Sequence, residues 1–156
     1  MTSFDTKELM QLDEAGGELR RVPLPEHMRP LHAMESPTGT FIVSHQNTEL
    51  EQWQWQVSEV NTEGQVLRQF SGSRLSPLGR PQLHIAVDSQ GNIFVADLSN
   101  RRILLLDAQL ALRRVIIDEH QLNKQPWRLC YNEQSGQLMV GFYEGGGVAV
   151  FDVLKR

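Results

Sequence analysis

The sequence predicts an all-β chain built from a repeated unit of antiparallel strands. Three observations predict it. The stretch from Pro81 to Asp107 holds three short apolar runs, rich in β-branched residues and separated by turn residues: Ile85-Ala86-Val87, Ile93-Phe94-Val95 and Ile103-Leu104-Leu105. An acidic or amide residue closes a third run at Asp13, Asn61, Asp107 and Asp152, at intervals of 48, 46 and 45 residues. Four positions before each stands Leu9, Val57, Ile103 or Val148, and one position before each stands Leu12, Val60, Leu106 or Phe151. Four apolar matches at two offsets mark a true internal repeat.

The elements of the unit follow in order. Pro30, Pro81 and Pro126 open it, since proline cannot donate to a strand ladder and suits a crossing loop. A hairpin turn follows the first strand at Ser36-Pro37-Thr38-Gly39, Ser89-Gln90-Gly91-Asn92 and Gln134-Ser135-Gly136-Gln137. The second strands are Phe41-Ile42-Val43, Ile93-Phe94-Val95 and Leu138-Met139-Val140. Asp97 to Asn100 forms a second turn, because Asp and Asn side chains bond nearby backbone amides. A fourth strand follows the closing residue, as in Val66-Leu67-Arg68-Gln69-Phe70 and Leu112-Arg113-Arg114-Val115-Ile116. Four strands in about 40–45 residues is the period of a propeller blade. A β-sandwich also explains alternating strands but gives no reason for an in-phase repeat. The blades are placed at 30–70 and 81–116, with a partial blade at 1–22 and a three-stranded last blade at 126–152. Three blades are too few to close a ring, which takes 4–8. The chain is therefore expected to be incomplete as a single ring.

The central unit resembles an NHL repeat, as found in the C-terminal propellers of tripartite-motif (TRIM-NHL) proteins. Ile85-Ala86-Val87-Asp88, Gly91-Asn92-Ile93-Phe94-Val95-Ala96-Asp97 and Asn100-Arg101-Arg102-Ile103 carry the resemblance. The outer units depart from it, with Gly145-Gly146-Gly147-Val148 in place of the Asn-x-Arg-Ile segment. The resemblance implies a recognition scaffold that binds a protein partner or single-stranded RNA. It also implies a parent ubiquitin ligase, for which this segment would recognise the substrate. The sequence holds no cysteine array for the zinc of a RING domain.

Composition fits a globular protein, with 40% hydrophobic and 22% charged residues. No window approaches the roughly 20 apolar residues of a membrane span, and the first residues lack the pattern of a signal peptide. The cytoplasm is the expected compartment. Net charge is −4, which argues against strong non-specific nucleic-acid binding. Arginine supplies most of the 15 basic residues and favours bidentate contacts. Cys130 is the single cysteine; between Leu129 and Tyr131 it is expected to be a buried, inert thiol.

Two groups of residues are candidates for function. The loops between second and third strands, and between blades, gather Arg29, His45, Arg80, Asn100, Arg101, Lys124 and Tyr143 into a binding face. The starts of the inner strands place His32, His84 and Arg128 on a channel lining. A catalytic metal wants about three protein ligands; two histidines and a repelling arginine make a poor set, so no metal, cofactor or catalytic residue is expected. A propeller hydrolase or lyase with a channel metal is the alternative, and a split propeller acting in assembly is another. Trp53, Trp55 and Val57 alternate at period 2 and should share a face. Asp88, Asp97 and Asp107 recur with the repeat, as turn caps would. The core of the central blade is expected at Ile85, Val87, Ile93, Val95, Ile103 and Leu105. The unfinished last blade and the leftover first strands point to a homo-oligomer, or to a missing N-terminal half.

Overall fold

The computed structural model describes residues 2–3, 7–49, 54–74, 83–143 and 145–153. Among them there is no helix, and every regular element is a strand. The chain divides into two compact units, Met1–Pro81 and Gln82–Arg156.

The first unit holds two sheets. The first sheet is β1 (Thr2–Ser3), β2 (Glu8–Leu12) and β3 (Glu18–Pro23). The second is β4 (Met28–Glu35), β5 (Phe41–Asn47), β6 (Gln54–Val60) and β7 (Val66–Arg74). The second unit holds a third sheet of β8 (Ile85–Val87), β9 (Ile93–Asp97), β10 (Arg102–Leu106) and β11 (Leu112–Ile117). Its fourth sheet is β12 (Pro126–Asn132), β13 (Gln137–Phe142) and β14 (Val148–Asp152). Strand order follows chain order in every sheet, and all pairs are antiparallel. Each sheet is thus a simple meander.

The repeated polar anchors explain why the turns form where they do. Asp13 Oδ1 accepts from the backbone N–H of Ala15 and Gly17, at 2.9 and 2.7 Å. Asn61 Oδ1 does the same for Glu63 and Gln65 at 3.0 and 2.9 Å, and Asp107 Oδ1 for Gln109 and Ala111 at 2.9 and 3.0 Å. One side chain therefore satisfies two backbone donors at the same turn of three successive sheets. Asp88 caps the β8–β9 turn in the same way through Gln90 and Asn92. Asp97 does not: it is fully buried, and its Oδ2 accepts from Arg102 Nε at 2.7 Å and Asn100 Nδ2 at 3.0 Å.

Apolar side chains fill the space between the two sheets of each unit. In the first unit Leu9, Val22, Leu24, Met28, Phe41, Val43 and Val60 form one cluster. In the second, Phe94, Ile103, Ile117, Leu122, Leu129, Leu138 and Val140 form another. Of the six expected core residues of the third sheet, Ile85, Ile93, Val95 and Ile103 are buried, while Val87 and Leu105 are half-buried. Trp55 and Val57 are both fully buried; Trp53 lies outside the described residues. Cys130 is exposed, contrary to expectation. The side chains of β12 alternate, and the core takes Leu129, which turns Cys130 away from it.

Gly72 shows how tightly the second sheet packs. A Cβ there would stand 2.2 Å from Cε2 and Cζ2 of Trp55. The buried indole, in ring contact with Phe70 at 6.0 Å, cannot swing aside cheaply. Gly72→Ala is expected to cost about 1–3 kcal/mol through overpacking, read as a lowered melting temperature. An unchanged melt would show that Trp55 has room to move.

Candidate functional site: the loop end of the second unit

Antiparallel meanders bring alternate turns to the same end of a sheet. In the second unit the β9–β10 turn, the β11–β12 crossing and the β13–β14 turn share one end. They carry Asn100, Arg101, Lys124 and Tyr143, four of the residues expected on a binding face.

Trp127, at the start of β12, stacks on Tyr143 with ring centroids 4.3 Å apart and planes 18° apart. Tyr143 N–H donates to the Gln125 carbonyl at 3.0 Å, which fixes the turn against the crossing. Lys124 Nζ lies 6.0 Å from the Phe142 ring centroid and donates to the Gly146 carbonyl at 3.5 Å. Both stacked rings keep part of their surface in solvent, and Lys124 and Arg128 are exposed. Arg101 is exposed at the tip of its turn with φ of 49°, a left-handed conformation uncommon for a side-chain-bearing residue. Asn100 is also exposed, but its amide is engaged with the buried Asp97 carboxylate. This end thus presents an aromatic pair beside exposed cations.

His84 is half-buried, and its Nδ1 accepts the backbone N–H of Leu129 at 3.1 Å. Burial, and then the nearby Arg128 guanidinium, hold its pKa below the usual imidazole value. His84 therefore ties β12 to the third sheet as a neutral ring.

The first unit places its candidates differently. Arg29 is exposed on β4, and His32 is half-buried on the same strand, where its carbonyl accepts from Ser44 Oγ at 3.4 Å. Arg80 lies outside the described residues. His45 is not on a loop face. The strand expected to end near Val43 runs on to Asn47, so His45 is fully buried in β5. Its Nε2 stands 2.7 Å from Ser58 Oγ and its Nδ1 3.2 Å from the Gln46 carbonyl. Gln69 Nε2 donates to Ser58 Oγ at 3.1 Å and to Gln56 Oε1 at 3.0 Å; Gln56 Nε2 donates to Ser71 Oγ at 3.1 Å. The Ser58–His45 pair has the polarity of a nucleophile and its base, yet both residues have no exposed surface. It serves as a polar clamp across β5, β6 and β7. Sequence reading missed this network and Trp127. The alternation of Gln54, Gln56 and Ser58 was the available signal for the first; the aromatic next to Pro126 was the signal for the second.

At the opposite end of the second unit an open cleft of about 620 Å³ lies between the third and fourth sheets, with Phe94, Leu105, Tyr131 and Val153 among its walls. Ser89 bridges its mouth, donating from N and Oγ to Glu133 Oε1 at 2.9 and 2.5 Å. The carboxylates of Asp88 and Asp107 there are occupied as turn caps. Among the described residues no three His, Cys, Asp or Glu side chains come together as a metal site, and no helix is long and apolar enough to cross a membrane.

Comparison with known proteins bears on the fold. No protein-family model matches the sequence. No curated protein matches it either. Solved structures do match. A protein of unknown function from Bacteroides caccae has a TM-score of 0.55 at 17% identity, over 94% of this chain and 54% of the other. Virginiamycin B lyase from Staphylococcus aureus has a TM-score of 0.55 at 10% identity, over 97% of this chain and 50% of the other. A candidate 6-phosphogluconolactonase from Bacteroides uniformis has a TM-score of 0.52 at 17% identity, over 95% of this chain and 50% of the other. These neighbours are β-propeller-like. The fold of this chain is all-β, built of blade-type antiparallel sheets as in a propeller. The chain spans about half the length of each of these neighbours.

Proposed function

We propose that this chain is a non-enzymatic recognition scaffold of NHL type, and that the loop end of its second unit takes single-stranded RNA. The observation that carries the reading is the partly exposed Trp127–Tyr143 stack with Lys124 beside it. Unstacked bases are held by aromatic faces and arginine planes, while cations track the phosphates. Arg101, at the tip of the neighbouring turn, supplies a guanidinium on that end. A protein partner at the same end is the second reading. The net charge of −4 favours it, and Trp, Tyr and Arg also dominate protein hot spots. The NHL resemblance extends the proposal to substrate recognition for a ubiquitin ligase whose catalytic parts lie elsewhere. The lyase and lactonase names among the structural neighbours support the competing enzyme reading at the level of fold only.

The test is fluorescence anisotropy of a labelled single-stranded RNA against salt. Binding should weaken as salt rises, and Arg101→Glu with Lys124→Glu should lower the salt slope by about 2, roughly one per phosphate contact. Trp127→Leu should weaken binding without changing that slope. Absence of RNA binding at low salt, or an unaltered affinity in the double variant, would reject the RNA reading.

A further inference from the structure

Each unit has a cleft between its two sheets, at the same place in the repeat, and the two clefts are built differently. In the first unit a pocket of about 310 Å³ lies between the first and second sheets, with Gln11 and Glu35 among its walls. Gln11 Nε2 donates to Glu35 Oε2 at 3.0 Å, so a polar bridge ties those sheets together. In the second unit the cleft between the third and fourth sheets measures about 620 Å³. Leu105 stands there in the place of Gln11: it lies two residues before Asp107, as Gln11 lies two before Asp13. Tyr131 stands in the place of Glu35, since each pairs with the first apolar residue of the second strand, Leu138 or Phe41. A leucine side chain cannot hydrogen-bond, so the bridge of the first unit cannot form here. Leu105 and Tyr131 are instead both half-buried and face an open cleft.

The chemistry of this cleft is one-sided. Phe94 and Tyr131 form an aromatic wall, with ring centroids 4.7 Å apart and planes tilted by 37°. Asp88, Asp107 and Glu133 also line it, and among the described residues that do so there is no Lys, Arg or His. Backbone amides hold Asp88 Oδ1 and Asp107 Oδ1, and Ser89 holds Glu133 Oε1. These neutral donors fix the carboxylates and favour their charged form. The exposed Arg113 offsets Asp107 from 3.8 Å. Burial, and then the charges of Asp88 and Glu133, push the Tyr131 phenol above its ordinary pKa. Its hydroxyl therefore sits in a negative potential.

We propose that this cleft binds a small organic cation, an ammonium group carried on an aromatic or aliphatic body. The volume suits such a ligand, since small-molecule sites span about 300–1,000 Å³. The body packs against Phe94, Leu105 and Tyr131. The ammonium is drawn to the aromatic faces by their quadrupole and to the carboxylates by their charge. An anion of the same shape is repelled, and a neutral counterpart keeps only the apolar contact.

Isothermal titration calorimetry of the full chain with phenethylammonium chloride tests this, with 2-phenylethanol and phenylacetate as neutral and anionic counterparts. The cation is expected to bind at one site, about tenfold more tightly than the alcohol, and phenylacetate is expected not to bind. Glu133→Gln keeps an acceptor for Ser89; it should weaken the cation about threefold and leave the alcohol unchanged. Leu105→Gln combined with Tyr131→Glu places the bridge of the first unit in the second. That pair adds a negative charge, so charge alone would strengthen cation binding, whereas a closed cleft loses both the cation and the alcohol. Loss of both is the expected result. Should the double variant misfold, Glu133→Gln and the ranking of the three compounds decide. Equal affinity for cation and alcohol, no binding of the cation, an unaltered cation affinity in Glu133→Gln, or a folded double variant that binds as the parent does would overturn the proposal.

Discussion

Ile103→Ala is expected to destabilise the second unit by about 2–5 kcal/mol. Ile103 has no exposed surface and lies in the middle of the cluster that joins the third and fourth sheets. It pairs with Ala96 on one side and Ile117 on the other, and both belong to that cluster. Ala96 is too small to fill the space left by the lost branches, and Ile117 is fixed by its own strand. The cavity therefore persists, which places the cost above simple transfer. Leu105→Ala serves as the internal comparison. Leu105 is half-buried at the edge of an open cleft, so its truncation should cost less than half as much. Urea unfolding with an unchanged m-value measures both. Equal losses for the two variants would show that Leu105 is packed as tightly as Ile103.

The repeat was legible because its signals are local. Asp13, Asn61 and Asp107 mark the same turn in three sheets, since each side chain caps two backbone donors a few residues ahead. Nothing distant is needed to place such a turn. The buried residues of the third sheet were partly legible for the same reason, because β-branched runs bounded by turns declare strands. The faces were less so: Ile103, Leu104 and Leu106 are all buried, so no alternation told Leu105 from its neighbours. His45 was misread because its partners come from other strands. A polar run, His45-Gln46-Asn47, resembles a loop until Gln56, Ser58 and Gln69 are set beside it in the sheet. Cys130 failed on phase alone, one residue from the buried Leu129. The aromatic stack of the candidate site joins Trp127 to Tyr143 across two strands, and neither residue's sequence neighbours reveal the other.

Acidification should unfold the first unit earlier than its carboxylates alone would dictate, because of His45. Burial, and next the nearby His27, depress its pKa, while the Gln46 carbonyl opposes that; the net value is about 4, against an ordinary value of 6.5. The neutral ring suits its place: with Nδ1–H donating to the Gln46 carbonyl, Nε2 is left to accept from Ser58. In the unfolded chain His45 takes up a proton near pH 6.5, whereas the folded chain resists it until about 4. Between those values the unfolded state binds more protons, so stability falls as pH falls. The contribution is complete above about pH 7 and amounts to roughly 3 kcal/mol lost by pH 4. His45→Gln keeps an acceptor for Ser58 and removes the titrating group. Its stability at neutral pH should drop modestly, since one hydrogen bond is refitted at a cost of about 1 kcal/mol. Its slope of stability against pH between 6.5 and 4.5 should nonetheless be flatter than that of the parent chain. Denaturant unfolding at a series of pH values, followed by the fluorescence of buried Trp55, reads both quantities. Parallel slopes for the two chains would mean that His45 already carries its proton in the folded state, and that the clamp to Ser58 is built with the opposite polarity.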